Sequence, residues 1–194
     1  MPASATSAPP VPAGPRAKAA TMAETIPEVI APASLSDYFE VLTRAVFQAG
    51  VSWKQIAAHW DAYRDAFSSF DPVRVAAYDD LDVQRVLDTP GILSMPRKVR
   101  ATIANANALL DAKREHGDFG RYLGSFGSYE ALAKDLKRRF SLIGDMNVWY
   151  FLFRTGHAVP RFESWVKTIR GEHPRMREMV ERARAAGLSA ELAG

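Results

Sequence analysis

The chain has no cysteine among its 194 residues and only four histidines. Without cysteine it forms no disulfide and has no thiolate metal ligand and no cysteine nucleophile. The histidines, at positions 59, 116, 157 and 173, do not pair at the spacing of a metal-binding site, so we predict that the protein binds no metal. The lack of cysteine fits a reducing compartment, and we expect a cytoplasmic protein.

Long apolar runs are also missing. No stretch of about 18 consecutive apolar residues occurs, so no membrane-spanning helix is expected. Prolines at positions 9, 10, 12 and 15 interrupt the apolar region that a secretory signal requires. The segment through Ala33 is rich in alanine, proline, serine and threonine and has no aromatic residue, which predicts a disordered tail over residues 1–33.

The remaining residues, 34–194, are enough for one compact domain, and 47% of the chain is hydrophobic. Lys and Arg number 25 against 22 Asp and Glu, which gives a net charge of +3 and an isoelectric point near 9.3. This balance permits a nucleic-acid partner without requiring one. We expect a monomer that needs no cofactor.

Apolar residues from Ser34 onward recur at spacings of three and four without a sustained alternation, which predicts an all-α fold. Serine, aspartate and proline mark the expected helix starts. The expected helices run from Ser34 or Ser36 to Gly50, from Ser52 to about Phe67, from Asp71-Pro72 to about Tyr78, from Asp80 or Asp82 to about Asp88, and from Pro96 to His116.

One stretch near the C-terminus, KDLKRRFSLIGDMNVWYFLFRTG over residues 134–156, predicts a basic helix, a short hairpin and a very apolar helix. Such a hairpin presents backbone N–H groups, at Ile143 and Gly144, that can bind a DNA phosphate at the start of a helix. The basic side chains placed to assist are Lys137, Arg138 and Arg139. An ordinary antiparallel helix pair, with Gly144 present for packing, is the alternative.

Several motifs follow one another between Phe39 and Leu110: QAGVSW at residues 48–53, an aromatic-rich helix, the helix start FDP, a GI turn followed by a basic residue, and an NA pair in the long helix. With the hairpin, they make the range from Phe39 to Gly156 resemble the bacterial DNA-3-methyladenine glycosylase I family of the helix–hairpin–helix superfamily. Each motif is weak alone, but their common order and spacing are specific. The resemblance implies a compact helical helix–hairpin–helix glycosylase fold.

The resemblance also implies a function. Proteins of this kind flip a damaged base out of double-stranded DNA and hydrolyse its N-glycosidic bond, and the expected base is an alkylated purine like 3-methyladenine. The QAGVSW turn would form the mouth of the base pocket. Trp53 and Phe47 would bind the base, while Gln48 and Val51 would act as the wedge that fills the gap in the duplex. Core packing is the alternative role for Trp53 and Phe47.

The chain departs from the family pattern at informative positions. The family's recognition glutamate corresponds to Ala45, its cysteine-containing zinc site cannot form, and the aspartate that the wider superfamily places after the hairpin corresponds to Pro160. No catalytic residue is therefore assigned. A catalytically inactive module that binds DNA or a protein partner is the alternative to a glycosylase, and the basic segment after Pro160 is expected to form a solvated helix.

Overall fold

The computed structural model describes residues 26–192. Over this range its regular structure is helical, with no β-strand and one isolated bridge between Val159 and Glu191. The prediction of an all-α fold is confirmed. Numbered within the described range, the helices are α1 (Leu35–Gln48), α2 (Trp53–Ala58), α3 (Trp60–Ala66), α4 (Pro72–Ala76), α5 (Asp80–Asp88), α6 (Pro96–His116), α7 (Phe119–Gly124), α8 (Tyr129–Arg139), α9 (Asp145–Arg154), α10 (Phe162–Trp165) and α11 (Pro174–Ala185), with 3-10 turns at Ser68–Phe70 and Val166–Thr168.

Helices begin where the sequence provides capping residues. The Ser34 hydroxyl accepts a hydrogen bond from the Asp37 amide at 3.3 Å, and the Asp37 carboxylate accepts one from the Ser34 amide at 2.8 Å. This reciprocal pair satisfies two amides that the first turn of a helix leaves free. Asp71 caps α4, and Asp79, one residue before the expected start, caps α5.

The single helix predicted over residues 52–67 is two helices in the structure, since α2 ends before His59 and α3 begins after it. After the break, the Trp60 ring stacks on Phe70 with 5.2 Å between ring centroids. The Trp60 indole also donates a hydrogen bond to the Glu40 carboxylate at 2.7 Å. Both partners are distant in sequence, so local spacing does not reveal the break.

The core lies between α1, α6 and α9. Helix α9 is buried from Asn147 to Arg154 and packs against α1 and α8. Helix α6 packs against α1, α4 and α7. The largest fully buried side chains are mostly aromatic rings, which bury more apolar area per residue than aliphatic chains; they include Phe39, Tyr63, Phe67, Phe70, Phe119, Tyr122, Trp149, Phe151 and Phe153.

The disordered tail predicted over residues 1–33 is wrong for its last residues, 26–33. Residues 26–33, which the sequence assigned to a disordered tail, lie against the helices: the Ile26 side chain is buried, and the Ile30 amide donates to the Arg154 carbonyl at 2.7 Å. The Arg154 guanidinium donates back to the Glu28 carbonyl at 2.9 Å. These contacts use backbone groups of an extended segment, which has no helical period to detect. The rest of the expected tail, residues 1–25, lies outside the described residues.

The segment after Pro160 is also packed rather than a solvated helix. Helix α11 buries four side chains: Met176, Met179, Val180 and Ala183. Arg184 fastens the segment to the preceding chain, because its guanidinium donates to the Glu163 carboxylate at 2.7 Å and to the Glu191 carboxylate at 2.7 Å. The Glu191 carboxylate in turn accepts from the Phe162 amide at 2.6 Å. The C-terminal residues therefore form part of the domain.

The Arg184 hydrogen bonds predict a pH-dependent stability. They lower the pKa of Glu163 to about 2 in the folded protein, from an ordinary 4.5. A carboxyl with a lowered pKa stabilises the fold above its ordinary pKa and loses that contribution as the pH falls toward the folded value. We therefore expect wild type to melt above a Glu163→Gln variant at about pH 7, and the difference to shrink between about pH 5 and pH 2 in thermal unfolding experiments.

Glu178→Gln is the matched control, since Glu178 forms ion pairs with Arg175 and Arg182 on the surface of α11. Pairs between residues three or four apart on one helix contribute only about 0.2–0.5 kcal/mol, whereas Arg184 binds both Glu163 oxygens and also Glu191. The control variant should therefore differ less from wild type at every pH. A pH-independent difference between wild type and Glu163→Gln would contradict the role given to Arg184.

Candidate functional site

The QAGVSW turn follows α1 directly, and a lysine of α6 binds the backbone beside it. Gly50 adopts a φ of +72°, which an L side chain rarely tolerates, and the Val51 amide donates to the Gln48 carbonyl at 3.2 Å. The Lys98 ammonium donates to the carbonyls of Phe47 and Ala49 at 3.0 and 2.7 Å. It thereby satisfies carbonyls that the end of α1 leaves free, and its burial lowers the Lys98 pKa.

A small cavity lies behind this turn, between α1, α2, α9 and α11. The half-buried Trp53 ring forms one wall and meets the Tyr150 ring edge to face, with 5.4 Å between centroids. The cavity volume is about 10 Å³. That is room for about one water molecule, and far less than a purine base needs. The lining residues are Ala45, Gln48, Ala49, Trp53, Met146, Asn147, Tyr150 and Met176.

The structure separates the four residues that the sequence assigned to the turn. Trp53 and Gln48 line the cavity, and Gln48 does so from an almost fully buried position, with 4% of its surface exposed. Gln48 is therefore not at the surface that a duplex would meet in this structure. Val51 remains half-buried at the turn itself.

Phe47 lies in the core rather than in the cavity wall. Its ring is 0% exposed and packs edge to face on Tyr63, with 4.8 Å between centroids. Adjacent residues of a helix point about 100° apart, whereas residues three apart share a face. Ala45 and Gln48 therefore both line the cavity, and Phe47, between them, points away from it.

Two cations, Arg154 and Arg44, lie near the cavity wall. The Arg154 guanidinium donates to the Tyr150 hydroxyl at 3.1 Å behind the cavity wall. The Arg44 guanidinium lies 4.7 Å from the centroid of the Trp60 ring, and its burial lowers the Arg44 pKa. None of the residues that line the cavity is acidic, and Ala45 occupies its wall. The cavity thus offers aromatic faces and amide groups, and no carboxylate.

The hairpin between α8 and α9 is fixed by Asn105 of α6. The Asn105 side-chain oxygen accepts from the Ser141 amide at 2.6 Å, and its amide nitrogen donates to the Ser141 carbonyl at 3.1 Å. The Asn147 side chain also donates to the Leu142 carbonyl at 3.2 Å. The NA motif of α6 thus includes an asparagine that holds the hairpin backbone, a role that the local sequence does not reveal.

Gly144 is the N-cap residue of α9 and is exposed. Its φ of −107° lies in a region open to any residue, and a Cβ added there would meet nothing within 4 Å. A larger residue would also fit at position 144, so close packing, the alternative explanation for Gly144, does not explain why a glycine is present. Ile143, beside it, has a buried side chain that joins the core.

The basic residues near the hairpin are paired with carboxylates. Lys137 donates to the Asp145 carboxylate at 2.6 Å, so Asp145 forms an ion pair at the first position of α9 instead of capping the helix. The other two pairs are Arg138 with Asp135 and Arg139 with Glu115, the latter at 2.7 Å. Lys137 and Arg138 are exposed, and exposed ion pairs are weak, so these two cations stay available to a stronger anion. The Arg139 side chain is only 17% exposed and pairs with Asp135 as well, so it is held more firmly.

Between residues 26 and 192, no three His, Asp or Glu side chains lie close enough together to hold a metal ion. No helix in that range is long and apolar enough to cross a membrane.

The fold is thus an all-α helix–hairpin–helix arrangement with a small, largely aromatic cavity beside the QAGVSW turn. The family model of the methyladenine glycosylases matches residues 33–137. The chain belongs to the methyladenine glycosylase family.

Individual relatives agree with this assignment. The chain is 30% identical over 139 residues to DNA-3-methyladenine glycosylase 1 of Escherichia coli (strain K12), which covers 61% of this chain and 74% of that protein. Its fold is similar to that of 3-methyladenine DNA glycosylase I from Staphylococcus aureus, with a TM-score of 0.61 and 25% identity over 70% of this chain and 85% of that one. A crystal structure of another 3-methyladenine DNA glycosylase I matches with a TM-score of 0.57 and 28% identity, over 68% and 82% of the two chains.

The Asn105 contacts predict a local effect of mutation. We expect Asn105→Ala to lower the free energy of unfolding by about 1–3 kcal/mol, because it leaves the Ser141 backbone groups without their partner. Amide hydrogen exchange should accelerate at Ser141 more than in the core helices. Asn107→Ala, on the exposed side of α6, is the control and should change stability by less than about 0.5 kcal/mol. Equal effects of the two variants would contradict the role of Asn105.

Proposed function

We propose that this protein is a DNA glycosylase that flips a damaged base out of double-stranded DNA and releases it by hydrolysis. The observation that carries the proposal is the cavity behind the QAGVSW turn, where Trp53 and Tyr150 offer ring faces and edges to a base. Membership of the methyladenine glycosylase family supports an alkylated purine of the 3-methyladenine kind as the base. In this proposal the protein acts as a monomer, in the cytoplasm, without a cofactor.

A site without an acidic residue can hydrolyse the N-glycosidic bond of a cationic base. Hydrolysis breaks the bond between C1′ of the sugar and N9 of the base; the electron pair leaves with the base, and a water adds to C1′ and gives its proton to solvent. A purine methylated at N3 is positively charged in DNA, so it leaves as a neutral molecule without prior protonation. A Trp53 face stabilises such a cation by about 0.5–2 kcal/mol. Extrusion and positioning of the base supply the rest.

The departure at Ala45 bears on which base is bound. The family's recognition glutamate corresponds to this alanine, and the cavity wall here is apolar at that point. Val51 is the residue that we assign as the wedge, because it lies half-buried at the tip of the turn. Gln48, the other wedge candidate, would have to leave its buried position to serve in that role.

A base enters this cavity only if the wall moves. Met176 of α11 is 2% exposed and forms part of the cavity wall. A methionine side chain is flexible and adapts to different packing partners, so it is the group best suited to withdraw. In this proposal base binding displaces Met176, and α11 remains fastened through Arg184.

The hairpin is proposed as the phosphate site. Gly144 is exposed, and neither its backbone angle nor a neighbouring atom requires glycine, which supports the close approach of an external group. Backbone N–H groups at Ile143 and Gly144 then bind the phosphate at the start of α9. Lys137, Arg138 and Arg139 assist by exchanging their carboxylate partners for phosphate.

A catalytically inactive module that binds DNA or a protein partner is the second candidate. The small cavity volume, about 10 Å³, and the alanine at position 45 favour it. The two candidates differ in one measurement, which is the release of free base from alkylated duplex DNA under single-turnover conditions.

Trp53→Ala tests the pocket. We expect it to reduce single-turnover release of 3-methyladenine by at least about 10-fold while duplex affinity, which rests on phosphate contacts, changes by less than about 2-fold. Ala45→Glu should raise release above wild type, since a carboxylate in the wall would attract the cationic base. Chromatography of the released bases measures both variants.

Phe47→Leu is the control for a buried aromatic residue outside the cavity. It should lower the free energy of unfolding by about 1–3 kcal/mol and leave the preference for the damaged base unchanged. If Trp53→Ala behaves like Phe47→Leu, and Ala45→Glu folds but releases no additional base, the pocket proposal fails and the inactive module is favoured.

Asp145→Asn tests the hairpin. Removing the carboxylate frees Lys137 for phosphate, so duplex affinity should rise at low salt and the slope of log affinity against log salt should steepen by about 0.9. Asp80→Asn makes the same change of net charge at the exposed Arg100 pair and is the control. Equal effects of the two variants in fluorescence anisotropy titrations would show that net charge alone is responsible and would contradict a hairpin site.

A further inference from the structure

Gln48 is a buried side chain without a partner. Only 4% of its surface is exposed, and neither its amide nitrogen nor its amide oxygen has a hydrogen-bond partner in the part of the chain that the structure describes. Buried polar groups are nearly always paired, because an unpaired one loses its water without compensation. A leucine of similar volume at this position would avoid that cost. The amide of Gln48 is therefore free to pair with a group that enters the cavity it lines.

The position of Gln48 identifies where that partner binds. The residue lines the cavity together with Trp53 and Tyr150, the two aromatic walls. A base stacked on either ring would present its polar edge to other cavity walls, among them the one formed by Gln48 and Ala45. Ala45, three residues earlier on the same face of α1, is too short to reach a base edge and has no polar atom in its side chain.

We propose that Gln48 is the specificity-determining residue of the pocket and reads the edge of an adenine-type base with its amide. The inference rests on the proposed glycosylase function and names the chemistry of its substrate. The amide presents a donor and an acceptor side by side. Adenine carries the complement on its Hoogsteen edge, an acceptor at N7 and a donor at N6, and glutamine pairs with both at once.

The same geometry rejects guanine. The Hoogsteen edge of guanine has two acceptors, N7 and O6, so the Gln48 oxygen would face another acceptor and stay unpaired. Methylation at N3 lies on the opposite edge of the ring and leaves this pattern unchanged. A pocket read by Gln48 therefore distinguishes 3-methyladenine from 3-methylguanine, which carry the same methyl group and the same charge in DNA.

Gln48→Leu is the decisive variant, because we expect it to lower base release without lowering the stability of the fold. Loss of two unpaired buried polar atoms should leave the melting temperature unchanged or raise it. Single-turnover release of 3-methyladenine from duplex DNA should fall by at least about 10-fold. The preference of wild type for 3-methyladenine over 3-methylguanine, expected to be about 10-fold or more, should disappear.

Thr43→Val is the matched control. Thr43 is on the same helix, is equally buried, and has a hydroxyl that is also unpaired among the described residues, but it does not line the cavity. It should match Gln48→Leu in stability and wild type in release and base preference. Release by Gln48→Leu at the wild-type rate, or equal release of the two bases by wild type, would overturn the inference and leave the glycosylase function standing.

A binding measurement keeps the inference testable without turnover. The Gln48 side-chain amide signals are those missing from the ¹H–¹⁵N spectrum of Gln48→Leu. In wild type they should shift on addition of free 3-methyladenine and shift much less with 3-methylguanine. If wild type releases neither base from DNA, the proposed function fails. If the Gln48 signals also do not shift on addition of free 3-methyladenine, the inference fails as well.

Discussion

Both loops of the candidate site are held by polar side chains on a single helix, α6. The Lys98 ammonium binds the last carbonyls of α1 and so fixes the QAGVSW turn, and Asn105 pairs with both backbone groups of Ser141 and so fixes the hairpin. The two residues are seven apart, two helical turns, and therefore share a face of α6. The distance between turn and hairpin, which any DNA spanning them would have to match, depends on this face.

Helix α1 also carries polar groups whose burial costs stability. Gln48 and Thr43 have buried atoms without partners in the described part of the chain, and the half-buried Arg44 lies over an aromatic ring with its pKa lowered by desolvation. Such groups reduce stability wherever they occur, and they concentrate at functional sites. All three lie on α1, and Gln48 lines the cavity together with Met176. The unpaired amide of Gln48 lines this small cavity, which is where we propose that a base binds.

The sequence predicted most helix starts, since capping is local chemistry. Ser34, Asp71 and Ser128 cap their helices through contacts within three residues, and the turn at Gly50 follows from one left-handed backbone angle. It could not predict the break at His59, the packing of residues 26–33 or the burial of α11, because each depends on partners far away in the chain. Composition misled in the last two cases, since proline-rich and arginine-rich segments are usually solvated.

By itself the sequence determined the helical class, the site-bearing turn and hairpin, and the resemblance to the family, because these rest on local periodicity, capping and motif spacing. Only the tertiary structure decided which residues of the turn share a cavity. Phe47 and Gln48 are neighbours in sequence, yet one enters the aromatic core and the other the cavity, since consecutive residues of α1 point in different directions and different helices cover each side. The same holds for Met176, which lines the cavity although it lies 123 positions beyond Trp53 in the chain, a contact that no local pattern records.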